Sequence, residues 1–422
     1  MTFTPSSARE VTRARVLKGV DLAGWLTRPR EGDAVEFSYD ADYLAGAGRP
    51  VATTLPLRSK PFRAESGAVP AFFAGLLPEG RRLDALVAAV KTSPDDEFSL
   101  LVAVAGDCIG DIRVLPAGRE GDTGDTGDTG DAVSAAGGEP VQLPSPPDVC
   151  FHDLFARAVT PDQPITDTAV AGVQDKLSSR MISLPVRSAS REALLKLTPE
   201  GLPFLVENEA FFMQLAGQCG LEVARTEIIS DRDGHNALLV ERFDRLSTKA
   251  GLVRIPQEDS VQMAGRWPAA KYRMSSREVF ESVLGSTPAR LAAALKLLRL
   301  FAFSYLIGNG DLHGKNVSAY APDPDVWQLT PAYDLLSTLP YGDRRMALQM
   351  DGRDDRQRGS TFVEFAGRLG VREPATRRLL AELTDRAQPL LDGAAQIGLS
   401  DRKTTDLIHT MRARLADLRV TA

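Results

Sequence analysis

Apolar and polar positions alternate in short runs over the first sixty residues. VLKGVDLAGWL (16–26) is broken by Gly19 and Gly24, and AVEFSYD (34–40) alternates in part, which predicts short strands separated by turns. From residue 70 the period lengthens. Phe72, Phe73, Leu76 and Leu77, then Leu83, Leu86, Val87 and Val90, form apolar stripes at helical spacing, with Pro78 dividing them into two helices. Residues 95–115 read as a helix, a glycine turn and a short strand, which closes an α+β unit over 1–116.

The pattern stops at 117–148, a stretch rich in Gly, Pro, Ser and Ala that contains GDTGDTGDTGD (121–131). The tripeptide repeat is too short to stack into a calcium-binding array and reads as a flexible acidic linker. Periodicity returns near residue 150. The apolar run 194–197 suits a strand, and VENEAFFMQLAGQC (206–219) is helical. EVARTEII and ALLVERF flank the turn DRDGHN and predict a hairpin. Beyond Arg245 helices are expected near 276–285, 288–308, 361–369, 373–397 and 402–418. The expected order is therefore a β-rich lobe over 149–245 and a helical lobe over 246–422, with a ligand cleft between them.

Composition narrows the class. The 422 residues are 43% hydrophobic and 25% charged, enough for two to four soluble units at roughly 100–200 residues each. A net charge of −6 argues against a stand-alone nucleic-acid binder, although 9–18 is locally basic. Cys108, Cys150 and Cys219 are too far apart for a disulfide framework or a CxxC metal pair, so reduced thiols are expected. The N-terminus has no apolar signal core, and the most apolar stretch, 291–308, is interrupted by Lys296 and Arg299. A cytoplasmic protein without membrane association is the expectation.

Candidate chemistry centres on GNGDLHGKN (308–316), where a long apolar helix gives way to a polar glycine-rich loop. Asp311 precedes Asn316 by five positions, the spacing at which a phosphoryl-transfer loop needs an acid to orient the attacking hydroxyl and an amide to hold magnesium. Asp334, in TPAYDLLST, follows a strand-like VWQLT and suits a second metal ligand; taken singly, Asp311 also reads as a loop or N-cap residue. Lys196 sits in an apolar strand, costly unless it is paired, functional or on an edge facing water. Glu209, in the next helix, is the natural brace for it. The loop 169–179 (AVAGVQDKLSS) could cradle phosphate with its backbone amides, or be a plain turn; no Walker A loop occurs. His313 could ligate a metal or contact the cofactor, but no second His or Cys clusters with it, and a role in fixing the loop competes.

Taken together, AGVQDK (171–176), LLKLT (194–198), NEAFF (208–212), VERFDR (240–245), PQED (256–259), LIGNGDLHGKN (306–316) and LTPAYDLLS (329–337) resemble the HipA family of bacterial kinase toxins, in the family's order over about 170 residues. AFFAGLLPEG (71–80) resembles the family's N-terminal subdomain. The resemblance implies an α+β, bilobal protein-kinase-like fold with an added N-terminal subdomain. It also implies ATP and Mg2+ as cofactors. Asp311 would be the catalytic Asp, Asn316 and Asp334 the magnesium ligands, and Lys196 the contact to the ATP phosphates. Glu241 and Phe243 would offer backbone groups to adenine, and Ala171, Gly172, Val173, Gln174 and Lys176 would form the phosphate loop. Family members phosphorylate proteins, aminoacyl-tRNA synthetases among them, arresting translation and growth, and pair with a HipB-like DNA-binding antitoxin, through which DNA is mainly contacted. One departure stands out: where the family often has a self-phosphorylated serine before AGxQxK, this chain has Ala169, with Thr166, Thr168, Ser178 and Ser179 nearby. A small-molecule kinase and a catalytically weak corepressor remain open as alternatives.

Overall fold

A computed structural model describes residues 4–30, 33–46, 48–64, 68–117, 141–142, 149–158, 181–188, 191–199, 201–248 and 251–419. The alternating runs near the N-terminus form an antiparallel sheet in the order Phe62–Arg63, Glu36–Tyr39, Asp21–Thr27, Arg13–Lys18 and Ile112–Pro116. Ala71–Ala74 and Arg81–Val90 are separate helices, and Pro78 lies in the link between them, as its missing N–H requires. With Glu97–Val104 they cover one face of the sheet and close a core around Phe37, Phe73 and Phe98. Asp96 caps the last of these helices, accepting from the Ser99 amide at 3.2 Å, and also receives Arg28 at 2.5 Å.

The second sheet runs Val141–Gln142, Ile182–Ser188, Arg191–Leu197, Asn236–Glu241, Thr226–Ser230. Val141–Gln142 pairs in parallel with Val186 and Arg187, so one short piece of the 117–148 stretch is a strand. The Gly-Asp-Thr repeat lies outside the described residues. Arg191–Leu197 is flanked on both sides, so Lys196 is on an interior strand and not an edge. The expected hairpin is present, and Asp231 organises its turn by accepting from the amides of Asp233 (2.9 Å) and His235 (2.8 Å).

The C-terminal half is mainly helical but not wholly so. Gln257–Asp259, Ser318–Asp323 and Val326–Leu329 form a small antiparallel sheet, and Arg245–Thr248 pairs with Gly251–Arg254. The first of these strands is three residues long, too short for an alternating pattern to register. Helix Arg290–Ile307 is the axis of the main core, burying Leu297, Leu298, Phe301 and Phe303. It ends at Gly308, whose φ of 71° and contact with Leu339 exclude a side chain. The stretch expected as one helix over 373–397 is two, Glu373–Ala387 and a 3-10 segment Gln388–Ile397, because Pro389 cannot donate to the preceding turn. Among the described residues no helix is long and apolar enough to cross a membrane.

Buried charge joins the N-terminal unit to the rest. Asp107 accepts from Arg242 (3.1 Å), Arg245 (2.7 Å) and Arg254. Asp244 accepts from Arg242 and Arg245, both at 2.8 Å, and from the Gly110 amide at 2.9 Å. Burial alone would raise the pKa of Asp107, but the three arginines outweigh it and hold the carboxyl well below the usual range. Glu258 makes a second link, accepting from the Thr53 amide (2.7 Å) and hydroxyl (2.8 Å). Here burial wins, and Glu258 is pushed up to about 7.

Two outcomes follow. Asp107→Asn leaves two buried arginines, Arg242 and Arg245, and the half-buried Arg254 short of a counter-charge and costs about 3–5 kcal/mol in urea unfolding; a loss below about 1 kcal/mol, typical of a surface pair, would count against the network. Glu258 binds its proton more tightly folded than unfolded, so its contribution to stability declines as pH rises from about 4.5 through about 7. Glu258→Gln should therefore gain stability relative to wild type between pH 5 and 8, and a pH-independent difference would contradict the burial argument.

Candidate active site

A cleft opens between the second sheet, the 241–245 segment and the helical lobe. Its apolar walls are Met181, Ile182, Leu194 and Val240 on the sheet side and Phe243 and Tyr333 at the back. Lys196, Asp334, Asn316 and His313 line its polar end, and Leu76, Glu79 and Arg82 of the N-terminal unit reach into it.

Strand Arg191–Leu197 turns Lys196 inward beside apolar neighbours, 6% exposed. Its ammonium donates to Glu209 Oε1 at 2.6 Å and to Asp334 Oδ1. Burial lowers the lysine's pKa, but the carboxylates of Asp334 and Glu209 outweigh it and hold Lys196 charged. Glu209 projects from helix Leu205–Gln218; burial pushes its carboxyl up, Lys196 pulls it back and Asp334 adds to the rise. Asp334 is held at φ +55°, a left-handed conformation that costs a non-glycine residue energy.

The loop that follows helix Arg290–Ile307 is fixed by its own side chains. Asn309 Oδ1 accepts from the Asp311 amide at 2.9 Å, and the Gly310 amide donates to Thr338 Oγ1 at 2.9 Å. Asp311 is buried and takes a 2.6 Å hydrogen bond from the Tyr272 hydroxyl. Asn316 ends the 3-10 turn Gly314–Asn316 and faces the same cleft. His313 is buried with its ring edge-on to Tyr272 at 4.8 Å, and its amide donates to the Asp311 carbonyl at 2.8 Å. Burial, with Lys271 adding, keeps its pKa well below the ordinary value, so the imidazole is neutral.

The structure thus places Lys196, His313, Asn316 and Asp334 on the lining of one cleft, whereas Glu209, buried on Lys196, and Asp311, buried on Tyr272, do not line it. Phe243 lines it too, ringed by Tyr320 (5.9 Å) and Tyr333 (5.8 Å). Glu241 lies at its rim, with its amide committed to the Arg225 carbonyl (2.9 Å) and its carboxylate to Arg191 (3.2 Å), so any backbone contact from Glu241 to a ligand falls to its carbonyl. Ala171, Gly172, Val173, Gln174 and Lys176, with the hydroxyls at 166–179, lie outside the described residues.

Sequence reasoning missed Tyr272, Lys271, Lys315 and Glu79. Glu79 contacts Lys315 at 2.8 Å and accepts from Lys271; burial opposes its ionisation, yet the two lysines hold it down to about 2. Lys315 was visible inside GNGDLHGKN, but nothing local pointed to a carboxylate so far away in the chain.

Comparison with known proteins identifies the fold and the family. Residues 14–115 match the HipA N-terminal domain and residues 168–390 the HipA-like C-terminal domain. The Sinorhizobium fredii protein Y4mE, provisionally named a kinase, is 33% identical over 86% of this chain and 87% of its own length. The serine/threonine-protein kinase toxin HipA of Shewanella oneidensis is 28% identical over 89% of this chain and 87% of its own. A solved Shewanella oneidensis complex of HipA, HipB and operator DNA superposes with a TM-score of 0.71 at 23% identity, covering 96% of both chains. The fold is accordingly α+β and bilobal, kinase-like, with an added N-terminal unit, and the chain belongs to the HipA family of kinases.

Proposed function

We propose that this chain is an ATP- and magnesium-dependent serine/threonine protein kinase acting as the toxin of a toxin–antitoxin pair. The observation that carries the reading is the Lys196–Glu209 pair beside Asp334, with Lys196, Asp334 and Asn316 lining one cleft and Asp311 in the same loop as Asn316. The hard oxygen donors of Asp334 and Asn316 fit magnesium, and the apolar walls formed by Leu194, Val240 and Phe243 fit an adenine ring. Bound magnesium-ATP supplies the phosphoryl group and spreads its charge.

The chain's own residues do the rest. Lys196, kept cationic and aimed by Glu209, offsets phosphate charge. Asp311 orients the acceptor hydroxyl and takes up its proton. His313, neutral and packed on Tyr272, keeps the loop in shape. The 171–176 segment would supply backbone amides to the phosphates. Positioning and electrostatics carry most of the rate enhancement.

The Shewanella oneidensis relative supports a HipB-like antitoxin as partner, with DNA contacted mainly through it, in keeping with the acidic charge of this chain. The family resemblance supports a protein substrate of the aminoacyl-tRNA synthetase class, growth arrest on phosphorylation, and a cytoplasmic site of action.

Labelled ATP added to bacterial lysate with wild-type protein should mark a new protein band. Asp311→Ala should reduce that transfer by about 10²–10⁴-fold, the usual worth of a positioned acid–base group. Expression of wild type, but not Asp311→Ala, should halt growth. Labelling that survives in Asp311→Ala would sink the assignment of this residue, and label confined to small molecules would favour a metabolic kinase.

A further inference from the structure

Glu79 stands in the link between helices Ala71–Ala74 and Arg81–Val90, remote in sequence from every residue of the catalytic loop. In space it is between two lysines, one next to Asn316 and the other next to Tyr272, whose hydroxyl donates to Asp311. Lys315 lies within the loop between Asp311 and Asn316, and its ammonium contacts Glu79 Oε1 at 2.8 Å and the Gly75 carbonyl at 3.1 Å. Lys271 donates to Glu79 Oε2 and immediately precedes Tyr272, the residue that hydrogen-bonds Asp311 at 2.6 Å. The Lys271 carbonyl in turn accepts from the Gly314 amide at 3.1 Å. One carboxylate of the N-terminal unit is therefore tied to both sides of the loop.

Stability is a poor reason for such an arrangement. Lys271 is 2% exposed and Lys315 7%, and taking ions out of water commonly costs as much as their attraction returns. What a buried ionic triad does supply is a fixed geometry. We infer that Glu79 is a positioning residue for phosphoryl transfer, through which the N-terminal unit sets the Asp311–Asn316 loop. This rests on the kinase reading above. The N-terminal unit is then a working part of the active site, not an appendage to it.

The test uses the full-length protein with Glu79→Gln, which keeps the shape and removes the charge, and Glu79→Asp, which keeps the charge. Glu79→Gln should lower kcat by about 10²-fold, the cost of a small misplacement of catalytic groups, while KM for ATP holds; the melting temperature falls as well, because two buried lysines lose their counter-charge. Glu79→Asp should recover part of the rate. Adding Lys315→Gln to Glu79→Gln should cost little more, since the two act as one unit. Amide hydrogen exchange over 308–316 should quicken in Glu79→Gln and stay unchanged over 290–307. An unchanged kcat would overturn the inference. So would a parallel fall in kcat and ATP affinity, which marks a merely structural role. If wild type transfers phosphate to no acceptor, the kinase reading fails; the exchange measurement then decides separately whether Glu79 holds the loop.

Discussion

Asp107 accepts from three arginines that come from a segment more than 130 residues further along the chain, and of this charge only Arg254 has appreciable contact with water. A buried carboxylate in that position tolerates no slack, because any movement that loses an arginine leaves an uncompensated ion. The VERFDR segment is pinned by this requirement. Arg242 and Arg245 reach back to Asp107 and the Cys108 carbonyl, while Asp244 takes the Gly110 amide. Because the same segment forms the back of the cleft, the spacing between sheet and helical lobe follows from how those charges pair.

The lobes differ in how they are held. The second sheet has only a small core of its own, with Leu195, Leu197, Ala237 and Phe151 among its members. Helix Leu205–Gln218 instead contributes Phe212, Met213 and Leu215 to the large core around Phe280 and Phe301. Lys196 thus stands on a strand and Glu209 on a helix of the same lobe, and their hydrogen bond ties the sheet to a helix that also packs into the large core.

Much of this was legible in the sequence. Strong periodicity revealed the helices 276–286 and 290–307 and the hairpin around DRDGHN, and an apolar strand interrupted by Lys196 drew attention because such a lysine needs a partner. The short strand Gln257–Asp259 escaped because three residues carry no period, and the break at Gln388 was readable from Pro389 but was passed over. The charges joining the units escaped for a different reason. Asp107 with Arg242, Glu258 with Thr53 and Glu79 with Lys315 are partners 135 or more residues apart, and no local spacing encodes them.

Asp334 carries a consequence for anyone wishing to silence this protein cleanly. Its backbone is left-handed, a conformation that a Cβ disfavours and glycine accepts freely. Alanine and glycine at this position are therefore not interchangeable controls. Alanine removes the carboxylate and keeps the tension in the main chain; glycine removes both, and so alters the local conformational balance along with the chemistry. Asparagine, among the residues that best tolerate this backbone region, retains the size of the side chain and changes its charge alone.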